Sequence, residues 1–345
     1  MTSRAFLVAV IVSAILLISW ESHWRSEGYP IAPDDNKKLW AENRAKIVQL
    51  DEKDVVIIGS SRNYFNLQID TWENKTGRRP LQLAMEGSCP LPMFMDIVRN
   101  TEFNGTLLVG FAPPLYFAEE NMRFYKRSQN WVNHYHERTW ADRFNHWLSK
   151  PLQNNLAFLM ASEEPHYDHL DLRTIVENIP APKGRVVQRP PFPEFKYIDE
   201  TRNLTMWRIH EDTALAKEVT GFWEFVIQPP PGPPPTEEES EALRQRVLEL
   251  NQNLVNEFEA RGGQVIFVRN PSQNLMFEVE KKVFSREKFW DPLLEATGVI
   301  GYHFEDHDFM SKYDLPEWSH MAPQDADTYT ADLVDKLDAD GLIRQ

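Results

Sequence analysis

The chain has 345 residues, 42% of them hydrophobic and 12% aromatic, enough for one large domain or two modest ones with a sizeable core. Its formal net charge of −15 argues against nucleic-acid binding through a broad basic face. It suits a neutral or cationic substrate or a partner with a basic surface, although acidity also serves solubility alone.

After Arg4, residues 5–20 (AFLVAVIVSAILLISW) carry no charge. The run is slightly short of the ~20 residues of an ideal membrane span, a length a signal anchor tolerates. Arg4 and the free amine favour a cytoplasmic N-terminus with the remainder translocated, and Trp20 and Trp24 suit the far interface. A cleavable signal peptide is the rival reading, but no small-x-small cleavage site occurs around residues 19–26. The expectation is an uncleaved anchor over residues 1–22 and a single-pass protein in the bacterial inner (cytoplasmic) membrane, its body periplasmic or extracellular. Cys89 is the single cysteine, so no intrachain disulfide can form, a count that leaves the compartment open.

Residues 23–50 read as a polar linker and a helix. Then VVII (residues 55–58) gives a short, wholly apolar run ending in glycine and two serines, the pattern of a buried parallel strand. Residues 81–87, 105–111 and 262–271 repeat it, and residues 299–306 offer a fifth strand, with helical segments between. Strands alternating with helices imply an α/β domain, a parallel sheet covered on both faces, over residues 51–116 and 236–345. Residues 117–235 are rich in Trp, His, Asn and Pro and lack the strand rhythm, which predicts a mostly helical insertion capping one end of the sheet. The proline run in residues 228–240 is an extended connector or a recognition segment. Thr236 and Glu239 have capping-box spacing for a helix that Gly262 and Gly263 stop.

Ligands of open α/β sheets gather at the carboxyl ends of the strands. There the sequence places Gly59-Ser60-Ser61, Glu86-Gly87-Ser88 and Gly110-Phe111-Ala112-Pro113. A serine in such a turn is either a nucleophile or a plain helix cap. A nucleophile needs a base and oxyanion donors: His320, in the loop before the last helix, can supply the base, Glu317 three residues earlier can orient it, and the Gly87 N–H can donate. Asp314 is a rival orienting acid. Ser319 reads as a cap of the final helix. Arg62 and Asn63 are candidate substrate-binding residues, although an arginine there more often pairs with a buried carboxylate.

IIGSSRNYF, LAMEGSCPLP and LPEWSHMAP together resemble the SGNH (GDSL-like) hydrolase superfamily. Its first block carries Gly-Asp-Ser, its second a glycine, its third Gly-x-Asn-Asp and its last Asp-x-x-His. The resemblance implies a flavodoxin-like sheet, a catalytic set of Ser61, His320 and Glu317, and an oxyanion hole from the backbone N–H groups of Ser61 and Gly87. Two positions depart from the pattern: Ser60 stands for the aspartate, and the third block, GFAPPLYF, has no Asn to act as second oxyanion donor, a loss that typically costs on the order of 100- to 1000-fold. With the N-terminal anchor, the whole is similar to extracytoplasmic SGNH-like proteins that work beside a membrane-bound O-acyltransferase, in polysaccharide O-acetylation and in D-alanylation. The implied activity is serine acyl transfer or ester hydrolysis on acyl groups, acetyl first among them, of a cell-surface polysaccharide, without cofactor or metal. The alternative is a catalytically inactive scaffold that binds polysaccharide or the membrane acyltransferase.

His303 and His307 with Asp306 and Asp308, His134 with His136, and His166 with Asp168 and His169 invite a metal reading, but none has a recognised ligand signature. Trp131, Trp140, Trp147, Trp207 and Trp223 either line a sugar-binding cleft or fill the space between cap and sheet.

Overall fold

The structure, a computed structural model, describes residues 3–163, 193–228 and 235–343. In chain order the helices are α1 (Ser3–Ser26), α2 (Lys37–Arg44), α3 (Ser61–Asn66), α4 (Ile69–Thr76), α5 (Leu91–Asn100), α6 (Pro113–Tyr116), α7 (Arg123–Glu137), α8 (Trp140–Gln153), α9 (Ala157–Glu163), α10 (Thr213–Val226), α11 (Glu237–Glu259), α12 (Asn274–Val283), α13 (Arg286–Thr297), α14 (Asp308–Ser311) and α15 (Pro323–Ala339). The strands are β1 (Val55–Ile58), β2 (Leu81–Gln82), β3 (Thr106–Gly110), β4 (Lys196–Ile198), β5 (Leu204–Met206), β6 (Gln264–Arg269) and β7 (Ile300–His303).

Five strands form one parallel sheet in the order β2-β1-β3-β6-β7. The apolar runs lack polar alternation because both faces are covered. Val56, Ile58, Leu107, Val109, Val265 and Phe267 pack with residues of α2, α5, α11 and α13. Their neighbours Val55, Ile57, Leu108, Ile266 and Val268 point the other way, to Trp72 of α4 and Tyr329, Leu333 and Leu337 of α15. Strand β2 is shorter than the expected 81–87, yet Leu83 donates its N–H to Ile57 O (2.8 Å) and Met85 to Gly59 O (3.0 Å). The segment therefore stays on the edge of β1 up to the Glu86–Gly87 turn. The fifth expected strand ends early, at His303, in a 3-10 turn over Phe304–Asp306.

The insertion contains a feature its composition did not show, an antiparallel hairpin of β4 and β5. Three residues per strand carry too little alternation to read. Its turn is held by the Asp199 carboxylate, which accepts from the N–H groups of Thr201 and Asn203. A separate apolar cluster joins the hairpin to the sheet end: Phe195, Ile198, Leu204 and Met206 meet Tyr64, Phe65 and Ala84, with Val219 and Trp223 of α10 packed behind. The capping box of Thr236 and Glu239 is present at the start of α11. Residues 164–192, with His166, Asp168 and His169, and residues 229–234 of the proline run lie outside the described residues.

Helix α1 is long and apolar enough to cross a membrane, a test that an anchor and a signal sequence near the N-terminus both pass. Its apolar side chains are exposed from Phe6 to Ile18, whereas Trp24 at its end is buried.

Candidate active site

Strand β1 ends in Gly59, whose φ of +151° favours glycine. A Cβ there would lie 3.0 Å from the Asn63 Cβ and 3.1 Å from the Gly110 Cα. The absence of a side chain lets the chain turn sharply into α3. Ser60 takes the N-cap position but its side chain makes no capping bond, and Ser61 is the first helical residue. Ser60 is buried and Ser61 half-buried.

The opposing element is the loop before α15. Trp318 has φ +74°, a left-handed conformation costly for a bulky residue, and the bend brings His320 back over Glu317. One Glu317 oxygen accepts both the His320 backbone N–H (2.6 Å) and Nδ1 (2.8 Å). The other accepts the indole N–H of Trp223 from α10 (2.6 Å). Glu317 is fully buried and His320 nearly so. A carboxylate on Nδ1 makes that nitrogen the N–H donor and leaves Nε2 with its lone pair free, the tautomer a general base needs. His320 Nε2 is buried without a hydrogen-bond partner among the described residues. The ring stacks on Phe65 of α3, centroids 4.2 Å apart. Ser61 is four residues before Phe65, one turn along the same helix face. The loop thus brings His320 and Glu317 together beside α3, while the Ser61 hydroxyl forms no hydrogen bond with Nε2.

Gly87 has φ +52°, a Cβ there would meet nothing within 4 Å, and the ladder from Met85 to Gly59 sets its turn beside the start of α3. Lys196 of β4 pairs with Glu86 in this turn and stands 3.7 Å from Asp35. Arg202 bonds Asp35 (2.9 Å) and the carbonyls of Gln82 (3.1 Å) and Ala84 (3.0 Å). The hairpin therefore clamps the second strand end. Desolvation presses on the Asp35 carboxyl, but Arg202 and Lys196 outweigh it and hold the group below the usual carboxylate range.

Arg62 and Asn63 are engaged inward. The Arg62 guanidinium bonds Glu280 of α12 (2.6 and 3.2 Å) and donates to the Ser319 hydroxyl (3.1 Å). Ser319 is thus a partner of Arg62, and the N-cap of α15 is Ala322. Asn63 donates to Ile58 O (3.0 Å) and accepts from Asn270 (2.5 Å), which in turn accepts from the Tyr329 hydroxyl (2.5 Å). This buried chain ties the ends of β1 and β6 to α15 beneath the site. Asp314 is exposed, so Glu317 is the acid on the histidine.

The other candidates are dispersed. His136 bonds Asp96, Asp306 is held by Arg286, and His303 Nδ1 accepts the Glu305 N–H. Trp131 lies against Trp40, Trp207 between Tyr29 and Arg208, and Trp140 and Trp147 on the outside of α8, so the five tryptophans line no common cleft. A surface pocket lined by Trp72, Arg78 and Val334 is at the amino end of β1 and contains no residue of the Ser61 region. Trp223, Phe65, Arg202, Lys196 and Asn270 are the site's supports that sequence reasoning missed as such; for Trp223 the signal was an aromatic-rich insertion, without a partner to point to. No protein-family model matches the chain, and no curated protein matches it.

Proposed function

We propose that the chain is a membrane-anchored, extracytoplasmic serine acyl-transfer enzyme of SGNH type. The observation that carries the reading is the buried Glu317–His320 pair with its unpartnered Nε2, held against the helix that Ser61 begins. The strand order β2-β1-β3-β6-β7 supports it too, because it is the order of flavodoxin-like sheets, whose ligands sit at the carboxyl ends.

In this mechanism the Ser61 Oγ attacks an acyl carbonyl while His320 Nε2 takes its proton. Glu317 keeps the Nδ1 proton and stabilises the imidazolium. The backbone N–H groups of Ser61 and Gly87 receive the oxyanion. His320 then protonates the departing alcohol, leaving an acyl-serine. A sugar hydroxyl, deprotonated by His320, accepts the acyl group in a transferase, and water does so in an esterase. The acceptor we favour is a cell-surface polysaccharide, with an acetyl group delivered through a membrane-bound O-acyltransferase.

The test is hydrolysis of p-nitrophenyl acetate by the detergent-solubilised full chain beside Ser61→Ala and His320→Ala. Turnover in the parent, lost in both folded variants, is the expected result. One observation favours a second reading, an inactive scaffold: the Ser61 hydroxyl makes no bond to Nε2. Equal inertness of all three proteins, with bound polysaccharide retained by each, would select it.

A further inference from the structure

Helix α8, WADRFNHWLSKPLQ, is amphipathic in the wrong sense for a helix of a water-soluble body. Trp140, Phe144, Trp147, Leu148 and Leu152 follow helical spacing and fall within an arc of about 140° at 100° per residue. That stripe is normally the buried one. Here Trp140 is 74%, Trp147 64% and Leu152 57% exposed, and Phe144 and Leu148 are exposed as well. The rings of Trp140 and Phe144 stack at 5.1 Å and those of Phe144 and Trp147 at 5.7 Å, a continuous aromatic surface. The polar face is the one turned inward: His146 (2.8 Å) and Lys150 (2.9 Å) both bond Glu42 of α2, and Lys150 also bonds Glu200 (3.0 Å). The His146 hydrogen bond leads in holding the Glu42 carboxyl at about 2, with Lys150 adding to it against desolvation.

An exposed apolar face of this kind marks a membrane or a protein partner, and the position of α8 decides between them. Its end is fastened to α1 just beyond the apolar run. The Glu21 carboxylate accepts the N–H groups of Ala157 (3.0 Å) and Phe158 (3.1 Å) at the start of α9, and Arg25 donates to Asn155 O (3.0 Å). Glu21 directly follows Trp20, the last residue of the run and itself half exposed. The level at which α1 leaves a bilayer is therefore the level at which α8 ends. Tryptophan at the headgroup layer and leucine and phenylalanine below it are what an interfacial helix presents.

We propose that α8 is an in-plane membrane helix whose Trp140–Leu152 face rests in the lipid surface that α1 enters, giving the body a second attachment. It rests on the reading of α1 as a membrane anchor and not on the catalytic reading. The test reconstitutes the full chain in vesicles of phosphatidylethanolamine and phosphatidylglycerol, with a nitrobenzoxadiazole label at Leu148→Cys, at Leu152→Cys or, as a control, at Glu249→Cys, an exposed position of α11. Cys89 is buried, its thiol pushed up to about 12 by desolvation, so the introduced cysteine takes the label. Expected is several-fold stronger quenching by spin-labelled lipid at 148 and 152 than at 249, reduced when Trp140→Ser and Trp147→Ser are added. Quenching equal to the control overturns the proposal. So does a blue-shifted label that lipid does not quench, which would put a second copy or another protein on this face.

Discussion

Glu317 accepts three hydrogen bonds while fully buried, and only one comes from outside its own loop. Among the described residues, the Trp223 indole is thus the single hydrogen-bonded tie between the insertion and the acid of the pair. Hydrogen bonds to charged groups contribute about 1.5–3 kcal/mol, so Trp223→Phe should lower urea stability by about that amount. If the same free energy is lost in orienting His320, kcat should fall roughly 10- to 100-fold with KM little changed. An unchanged kcat would make Trp223 a packing residue only. Glu280 is the second critical carboxylate. Burial raises it, but Arg62 and Arg269 prevail and hold it at about 2. Glu280→Gln leaves two guanidiniums buried with an incomplete counter-charge and should cost about 3–5 kcal/mol in a urea titration.

At the scale of elements, the meeting of β1, β3 and α3 is set by two glycines. A Cβ on Gly110 would lie 2.4 Å from the Asn63 Cγ and 2.6 Å from its Oδ1, and Asn63 is held on both sides by hydrogen bonds. Gly110→Ala should therefore destabilise by about 1–3 kcal/mol. Gly221→Ala, in the middle of α10 with nothing within 4 Å of the new Cβ, should instead stabilise by about 0.4–1 kcal/mol. Urea midpoints of the two variants check both signs. The sheet itself was legible in the sequence because VVII, followed by Gly59, and the LLVG of β3 are unbroken apolar runs closed by glycine. The β4–β5 hairpin was not, since what fixes it lies far away in the chain: Lys196 on Glu86 and Arg202 on Asp35. The site divides in the same way. Local spacing pointed to Glu317 and His320, three residues apart, whereas the Asn63–Asn270–Tyr329 chain spans more than two hundred residues and has no local pattern.

For the whole molecule, acid is the predicted weakness. Glu280 is depressed in the fold, so its contribution is present above the ordinary value of 4.5 and is lost as pH falls toward about 2. His303 is pushed down to about 3 by burial, with Arg269 adding to it, and stays neutral where an unfolded histidine would take a proton below about 6.5. Both effects have the same sign. Unfolding free energy should decline steadily as pH drops from neutrality toward 3, and His303→Leu should flatten the upper part of that decline. A stability that rises on acidification would contradict both assignments.

Whether His320 activates Ser61 is read out by fluorophosphonate labelling of the full chain, with the modified peptide sequenced by mass spectrometry. Expected is a single adduct on Ser61 that disappears in His320→Ala while that variant remains folded. An unlabelled parent protein, or Ser61 labelled equally well without His320, would contradict it.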